Sequence, residues 1–225
     1  DDVKSFLRPT SKAWYSKHGL PHRRSYMFYG PPGVGKTSTI RALAGEFGLN
    51  CCYLSVTTDK FNNQNLCDAL RDLPSKPVLV LEDVDALFKA DRQNSDGGTL
   101  TFSGMLNALD GLTSTEGMIT IMTTNHIDRL DNALIRGGRV DRRFEFCRPS
   151  REQLENLFLS FYPDSSRDRA ELFASRVIAQ SNNPELRSIA TLQQHFIAQR
   201  DADAEECFHA LPSFFADRLS SRDEE

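Results

Sequence analysis

The chain has 225 residues, a formal net charge of −4 and five cysteines without CxxC spacing. Its length suits one large and one small domain, and its acidity argues against nucleic acid as the main partner. The odd, scattered cysteines indicate reduced thiols rather than a disulfide framework or a zinc site. The longest apolar runs, 78–81 and 118–122, are much shorter than the roughly 20 residues that span a bilayer, so we expect this chain by itself to be soluble.

The first motif is a glycine-rich loop between a predicted strand and a predicted helix. A lead-in helix is predicted over residues 3–15, an aromatic strand over 25–29 and a helix over 37–47. Between the last two, Gly30 to Thr37 read GPPGVGKT, which fits the phosphate-binding pattern. In such a loop backbone N–H groups and the lysine bind phosphate, and the threonine hydroxyl is a ligand for Mg²⁺. The sequence therefore predicts a site for ATP or a similar nucleotide with Mg²⁺.

Later β-favouring runs alternate with helix-like segments. They lie at 51–56, 78–81, 118–123 and 142–146, and this alternation predicts an α/β fold of the P-loop NTPase type, with a parallel sheet covered by helices on both faces. From residue 150 onward all elements are predicted to be helices, and Ser150 with Gln153 fits a capping box. We expect an α/β nucleotide-binding subdomain over residues 1–149 and a small all-helical lid subdomain over residues 150–225.

Two carboxylates follow the apolar run 78–81. Glu82 and Asp83 thus stand at the carboxyl end of a strand, where α/β sheets bind their ligands. Because side chains alternate along a strand, these neighbours should point in different directions and serve different tasks. Our hypothesis assigns Glu82 to the Mg²⁺ shell and Asp83 to orienting or deprotonating the attacking water.

Polar residues of two further segments complete the predicted site. Asn125 follows the strand at 118–123, where a carboxamide can hold the attacking water or contact the γ-phosphate. Arg136 and Arg139 lie on a glycine-bearing turn. Arginines supplied by a neighbouring chain commonly stabilise the charge of phosphoryl transfer, and this pair indicates that arrangement.

Together these motifs resemble the AAA family of ring-forming ATPases. The segments at 14–24, 100–111 and 122–131 resemble one branch, the Bcs-type mitochondrial chaperones that act in assembly of respiratory complex III. The similarity covers residues 3–162 and is looser beyond. It implies a homo-oligomeric ring of the mitochondrial inner membrane that uses ATP to move a folded protein substrate, the Rieske-type iron–sulfur protein. A membrane segment and a family-specific domain normally precede the ATPase domain, and both are expected outside this chain.

The resemblance also implies roles for individual residues. It places Asn125 as the sensor asparagine and Arg136 with Arg139 as arginine fingers. No arginine of the helical region clearly matches the second sensor of many AAA proteins, and Arg187 is the nearest candidate. Most AAA proteins carry Asp then Glu at the acidic strand end, whereas this chain has Glu82 then Asp83, which leaves the choice of base between them open. The nucleotide-binding residues that it implies are Gly30, Pro31, Pro32, Gly33, Val34, Gly35, Lys36, Thr37 and Ser38.

Three alternatives to this reading stay open at the level of sequence. One is a generic AAA protein remodeller, and another is a nucleotide-gated structural ring that holds ATP but scarcely hydrolyses it. A DNA-associated loader or helicase is disfavoured by the acidic charge and the missing basic stripe.

Overall fold

The computed structural model describes residues 1–55, 68, 73, 77–86, 117–130, 134, 139–179 and 183–220. The predictions for Arg136 and for the thiol of Cys67 lie outside these residues. The chain divides into two compact units, one made of Asp1–Gly30 and Lys36–Phe146 and the other of Pro31–Gly35 and Cys147–Glu225.

A parallel five-stranded sheet forms the centre of the first unit. Its strands pair in the order β2-β3-β4-β1-β5, so β1, the first strand in the sequence, lies between the last two, β4 and β5. β3 and β4 are buried along almost their whole length, as expected for apolar and β-branched runs in the middle of a parallel sheet. This sheet confirms the predicted α/β fold. The strands are β1 Arg23–Tyr29, β2 Asn50–Ser55, β3 Pro77–Glu82, β4 Met118–Thr124 and β5 Arg142–Glu145.

Three α-helices of this unit have both ends within the described residues, α1 Asp2–Phe6, α2 Pro9–Lys17 and α3 Lys36–Phe47, and a 3₁₀ helix at Ile127–Arg129 follows β4. The single lead-in helix predicted over residues 3–15 is wrong, because the chain leaves the helix at Leu7–Arg8 and starts again with Pro9 at the first position of α2. Proline has no N–H to continue a helix but suits the first turn. Apolar side chains of α1 and α3 share one core with alternate residues of β1, β3 and β4: Val3, Phe6, Tyr26, Phe28, Ile40, Val78, Val80, Ile119 and Ile121.

A half-buried carboxylate ties α1 to the sheet. Asp2 accepts hydrogen bonds from the Arg24 guanidinium at 2.9 and 3.0 Å and from the Tyr26 hydroxyl at 2.7 Å. Arg142 of the edge strand adds an ion pair at 3.4 Å. One short helix is thereby fastened to both β1 and β5, although α1 by itself is too short to be stable in water.

The second unit is helical where it is described. Its helices are α4 Arg151–Phe161, α5 Arg167–Ala179, α6 Ile189–Ala198 and α7 Ala204–Ser220, with a short 3₁₀ turn at Pro184–Arg187. The capping box at the start of α4 is confirmed: the Ser150 hydroxyl accepts from the Gln153 N–H, and the Gln153 side chain accepts from the Ser150 N–H. Among the described helices of the chain, none has the length and apolar character that crossing a bilayer requires.

The core of this unit contains a buried imidazole. The His195 ring is fully buried, and its Nε2 donates to the Cys207 carbonyl at 2.9 Å. Its Nδ1 is buried without a hydrogen-bond partner among the described residues. Burial lowers the pKa of His195, and the bond to Cys207 offsets this only in part. Burial therefore favours the neutral form of the ring over the imidazolium.

We expect this unit to lose stability below about pH 6.5, because His195 is protonated more readily in the unfolded chain than in the folded core. Because the folded pKa lies below the unfolded one, the penalty is absent at higher pH and grows as the pH falls, by at most about 1.4 kcal/mol per unit. Urea unfolding followed by far-UV circular dichroism at pH 7.5 and 5.5 measures it. His195→Gln should lose this part of the pH dependence, and His209→Gln, at an exposed position, should keep it. If the free energy of unfolding changes equally with pH in the wild type and both variants, His195 is not the cause of the pH dependence.

Candidate functional site

Three neighbouring strands bring the predicted site residues of the first unit to one edge of the sheet. β3, β4 and β1 are adjacent and parallel, so Glu82, Asn125 and Gly30 follow one another along their carboxyl ends. This is the edge where open α/β sheets bind ligands, next to the strand at which the chain order reverses. The helix α3 begins there with Lys36, and its first N–H groups add a partial positive charge.

Lys36 connects two of these strand ends. Its ammonium donates to the Gly30 carbonyl and to Asn125 Oδ1, both at 2.7 Å, and the side chain is only 8% exposed. Burial lowers the pKa of Lys36, while the carboxylates of Asp83 and Asp85 act in the opposite direction. A desolvated cation is thus held by neutral oxygens at the position where the sequence predicts phosphate.

The next pair supplies oxygen ligands suited to Mg²⁺. The Thr37 hydroxyl donates to Glu82 Oε1 at 2.7 Å, which brings a hydroxyl and a carboxylate oxygen side by side. Mg²⁺ prefers such hard oxygens and usually keeps water and phosphate as its other ligands. Among the described residues there is no group of three or more His, Cys, Asp or Glu side chains that could hold a metal ion. The donor set therefore fits a cation that arrives with a nucleotide.

Asp83 leaves the strand in a left-handed conformation. Its φ is +49°, uncommon for a residue with a side chain, and its carboxylate accepts from Asn125 Nδ2 at 3.2 Å. Glu82 and Asp83 have different partners, as predicted, but the cause is this turn rather than strand alternation. Burial, together with the negative charges of Asp85 and Glu82, raises the pKa of Asp83, and Lys36 opposes the rise. A carboxylate with raised proton affinity is suited to accept a proton from water.

The tip of the phosphate-binding loop belongs to the second unit. Gly33 has φ +72° and Gly35 has φ +102°, conformations that glycine adopts without strain. The Gly33 carbonyl accepts from the Ala190 N–H at 3.0 Å, near the start of α6. A Cβ at Gly33 would lie 2.9 Å from the Ser188 hydroxyl oxygen, so this packing also requires glycine.

Gly30, the first residue of the phosphate-binding loop, packs closely against the backbone of Phe146. Its φ is +143°, and a Cβ there would overlap the carbonyl oxygen of Phe146. We expect Gly30→Ala to lower the free energy of unfolding by at least about 2 kcal/mol, because backbone must move. Gly45→Ala, on the exposed side of α3 with open space around it, should instead raise it by about 0.5–1 kcal/mol. Urea unfolding followed by Trp14 fluorescence compares them; a Gly30→Ala midpoint equal to that of the wild type would contradict the packing.

The structure also gives the positions of three other predicted residues, Arg139, Ser38 and Arg187. Arg139 lies half-buried in the turn before β5, and Ser38 is exposed in the first turn of α3. Arg187 ends the 3₁₀ turn of the second unit, where its Nε is buried without a hydrogen-bond partner among the described residues. The role of Arg187 as a second sensor stays a prediction.

Sequence reasoning missed three residues behind the site. Thr123 and Thr124 end β4, and Asp85 follows the acidic pair; all three are buried and hydrogen-bonded at this edge. A signal was present, because two threonines close an apolar strand and Asp85 is a further acid in the segment Glu82-Asp-Val-Asp85. Lys36, Thr37, Glu82, Asp83 and Asn125 are brought together by the fold, and their roles in nucleotide chemistry stay predictions.

Comparison with known proteins gives two family matches. Residues 26–148 match the ATPase family associated with various cellular activities (AAA), and residues 151–213 match the mitochondrial chaperone BCS1-like ATPase lid domain. The match to the lid domain lies within residues 150–225, the region in which the sequence predicted only helices.

Curated relatives agree with these matches. Mitochondrial chaperone BCS1 of Bos taurus is 43% identical over 210 residues, which are 90% of this chain and 49% of that protein. The Homo sapiens protein of the same name is 42% identical over 207 residues, 89% of this chain and 48% of its own length. An AAA-ATPase of Arabidopsis thaliana is 35% identical over 180 residues, 72% of this chain and 38% of that protein. The chain thus spans about half the length of the bovine and human relatives.

Proposed function

Since the chain belongs to the AAA family of ATPases and carries a lid domain of the BCS1-like type, we propose that it is the ATPase domain of a ring-forming chaperone. The observation that carries the proposal is the meeting of Lys36, Asp83 and Asn125 within hydrogen-bond distances at the sheet edge. The relatives named mitochondrial chaperones support a mitochondrial location for the whole protein. By resemblance, the whole protein acts at the inner membrane and its substrate is the folded Rieske-type iron–sulfur protein.

The charges and hydrogen bonds of the site account for nucleotide binding. Lys36 exchanges the carbonyl of Gly30 and the amide oxygen of Asn125 for phosphate oxygens, which gives its buried charge a stronger partner. Thr37 and Glu82 would hold Mg²⁺, which when bound would neutralise phosphate charge.

Hydrolysis then depends on positioning a water. Asp83 and Asn125 already contact each other, so a water beside them meets a proton acceptor and a carboxamide together. The water oxygen bonds to the γ-phosphorus, the bond to the β-phosphate bridging oxygen breaks, and ADP leaves with the electron pair. Arg136 and Arg139 reach the γ-phosphate of a neighbouring protomer, so that turnover requires the assembled ring.

Mixing two inactive variants tests this shared site. Lys36→Ala removes the charge with which a protomer binds phosphate but keeps Arg136 and Arg139. Arg139→Ala keeps Lys36 but removes one of the two arginine fingers. Each variant alone should release little phosphate, yet an equal mixture should recover activity, because about a quarter of its interfaces join an intact Lys36 to a neighbour's intact Arg139. Steady-state phosphate release with ATP and Mg²⁺ measures this.

The control is Arg143→Ala, which removes an exposed arginine of β5 and should keep wild-type activity. Specific activity of the wild type should also rise with protein concentration as rings form. A mixture as inactive as its components, with a monomer fully active at any dilution, would contradict the shared site.

The structural ring that hardly hydrolyses ATP is the second candidate, favoured by the reversed order of Glu82 and Asp83. In a structural ring nucleotide would bind and protomers would assemble, as in a ring ATPase. The two differ in phosphate release, which in a structural ring would stay at the level of Lys36→Ala.

A further inference from the structure

A group of buried polar side chains lies directly behind the proposed site. We propose that Thr123, Thr124 and Asp85, which we call the brace, are positioning residues for hydrolysis because they set the positions of Asp83 and Asn125. The inference rests on the proposed ATPase function and adds residues that the phosphate-binding and acidic motifs do not include.

The first part of the brace holds the turn at Asp83. The pairing of β3 with β4 ends at Leu81 and Met122, yet two hydrogen bonds continue beyond it. The Asp83 N–H donates to the Thr123 hydroxyl at 3.1 Å, and the Val84 N–H donates to the Thr123 carbonyl at 3.0 Å. One residue of β4 therefore holds both sides of the left-handed bend, which fixes where the Asp83 carboxylate leaves the sheet.

The second part holds the turn at Asn125. The Thr124 hydroxyl donates to Asp85 Oδ1 at 2.7 Å and accepts from the His126 N–H at 3.0 Å. A single hydroxyl thus ties the residue after Asn125 to the residue before it and to the β3 turn. Thr124 is fully buried and Asp85 is 6% exposed, so water scarcely competes for these bonds.

The two parts of the brace meet at the contact between Asp83 and Asn125. Asp83 and Asn125 contact each other at 3.2 Å, and Asn125 also accepts from Lys36 at 2.7 Å. The brace fixes the backbone beneath both contacting side chains and leaves their polar ends at the sheet edge. Phosphoryl transfer depends mainly on positioning, and a displacement of about 1 Å can lower a rate about 100-fold.

Burial of Asp85 indicates positioning rather than direct chemistry. A carboxylate is among the rarest fully buried groups, and burying one is unfavourable unless it is hydrogen-bonded. Asp85 Oδ1 is engaged by Thr124, and the side chain is almost inaccessible to a substrate water. If Asp85 were the base, Asp85→Asn would stop hydrolysis; as part of the brace, an amide oxygen still accepts from Thr124 and most activity should remain.

The decisive variant is Thr124→Val, which keeps shape and removes the hydroxyl. We expect its kcat for phosphate release to fall about 10–100-fold while its affinity for a fluorescent ATP analogue stays within about threefold of the wild type. Thr124→Ser restores the hydroxyl and should recover kcat to within about threefold. Asp85→Asn should behave like Thr124→Ser.

Thr120→Val is the matched control. It makes the same change at a buried threonine of the same strand, paired with Ser25 and Leu79 in mid-sheet, away from the strand ends. It should leave both kcat and affinity unchanged. If Thr124→Val does not fold, Thr123→Val and Thr123→Ser repeat the comparison at the Asp83 turn.

The outcomes separate this inference from the proposed function. Wild-type kcat in a folded Thr124→Val overturns the brace alone, and so does a parallel loss of kcat, affinity and melting temperature in Thr124→Val and Thr120→Val. Loss of hydrolysis in Asp85→Asn with retained affinity also overturns it and makes Asp85 a catalytic residue. A wild type that releases no more phosphate than Lys36→Ala overturns both proposals.

Discussion

Lys36→Ala is expected to abolish measurable ATP turnover, with a loss of kcat/KM of about 10³ or more. In the structure this ammonium is buried and bonded to the carbonyl of Gly30 and the amide oxygen of Asn125, so it faces the predicted phosphate position while largely desolvated. A charge-assisted bond to phosphate is much stronger there than in water, and alanine leaves nothing in its place. Equilibrium binding of a fluorescent ATP analogue and steady-state phosphate release measure the two losses.

Lys17→Ala provides the control for charge and side-chain length. Lys17 is exposed near the end of α2, and its removal should leave binding and turnover at the wild-type level. The melting temperature of Lys36→Ala should change little, because the buried ammonium carries a desolvation cost in the protein without nucleotide. Wild-type binding in a folded Lys36→Ala would mean that the phosphate is held elsewhere.

Asp83→Asn is expected to keep nucleotide binding and lower kcat by about 10²–10⁴. Asparagine has the size of aspartate and can still accept the hydrogen bond from Asn125, so the turn should survive. The change removes the proton acceptor and one negative charge near the phosphates, which should leave affinity equal to or higher than that of the wild type. Binding of the analogue and single-turnover phosphate release distinguish these effects.

Glu82→Gln distinguishes the role proposed for Glu82 from that proposed for Asp83. A glutamine can keep the bond with the Thr37 hydroxyl but is a poorer Mg²⁺ ligand, so the Mg²⁺ concentration for half-maximal turnover should rise. The assignments would have to be exchanged if Glu82→Gln stopped hydrolysis with unchanged Mg²⁺ dependence and Asp83→Asn kept turning over.

Much of the site was predictable because its signals are local. The spacing of glycines before Lys36 and Thr37 is enough to predict a phosphate-binding loop. The carboxyl ends of parallel strands lie at one edge of a sheet, where ligands bind. Once the apolar runs are recognised as parallel strands, Glu82 and Asn125 must lie at the same edge of the sheet as the loop. The capping box at Ser150 is local in the same sense.

Other features were missed for identifiable reasons. Pro9 splits the lead-in helix, which the general rule for proline could have indicated. The helical character of the region beyond residue 150 was predicted, but helix α5 was not located within it, although Ala170, Phe173, Ala174 and Val177 repeat at helical spacing. The left-handed turn at Asp83 has no clear local signal, since aspartate adopts that conformation only when its surroundings hold it there.

The sequence by itself determined the class of ligand and the fold class, because both depend on residues that are close together along the chain. Only the tertiary structure decided that Lys36 meets Asn125 and that Thr124 meets Asp85, contacts between residues 89 and 39 positions apart. These pairs depend on the strand order β2-β3-β4-β1-β5, which places β4 between β3 and β1. Strand order is a property of long-range packing, and no local pattern of residues encodes it.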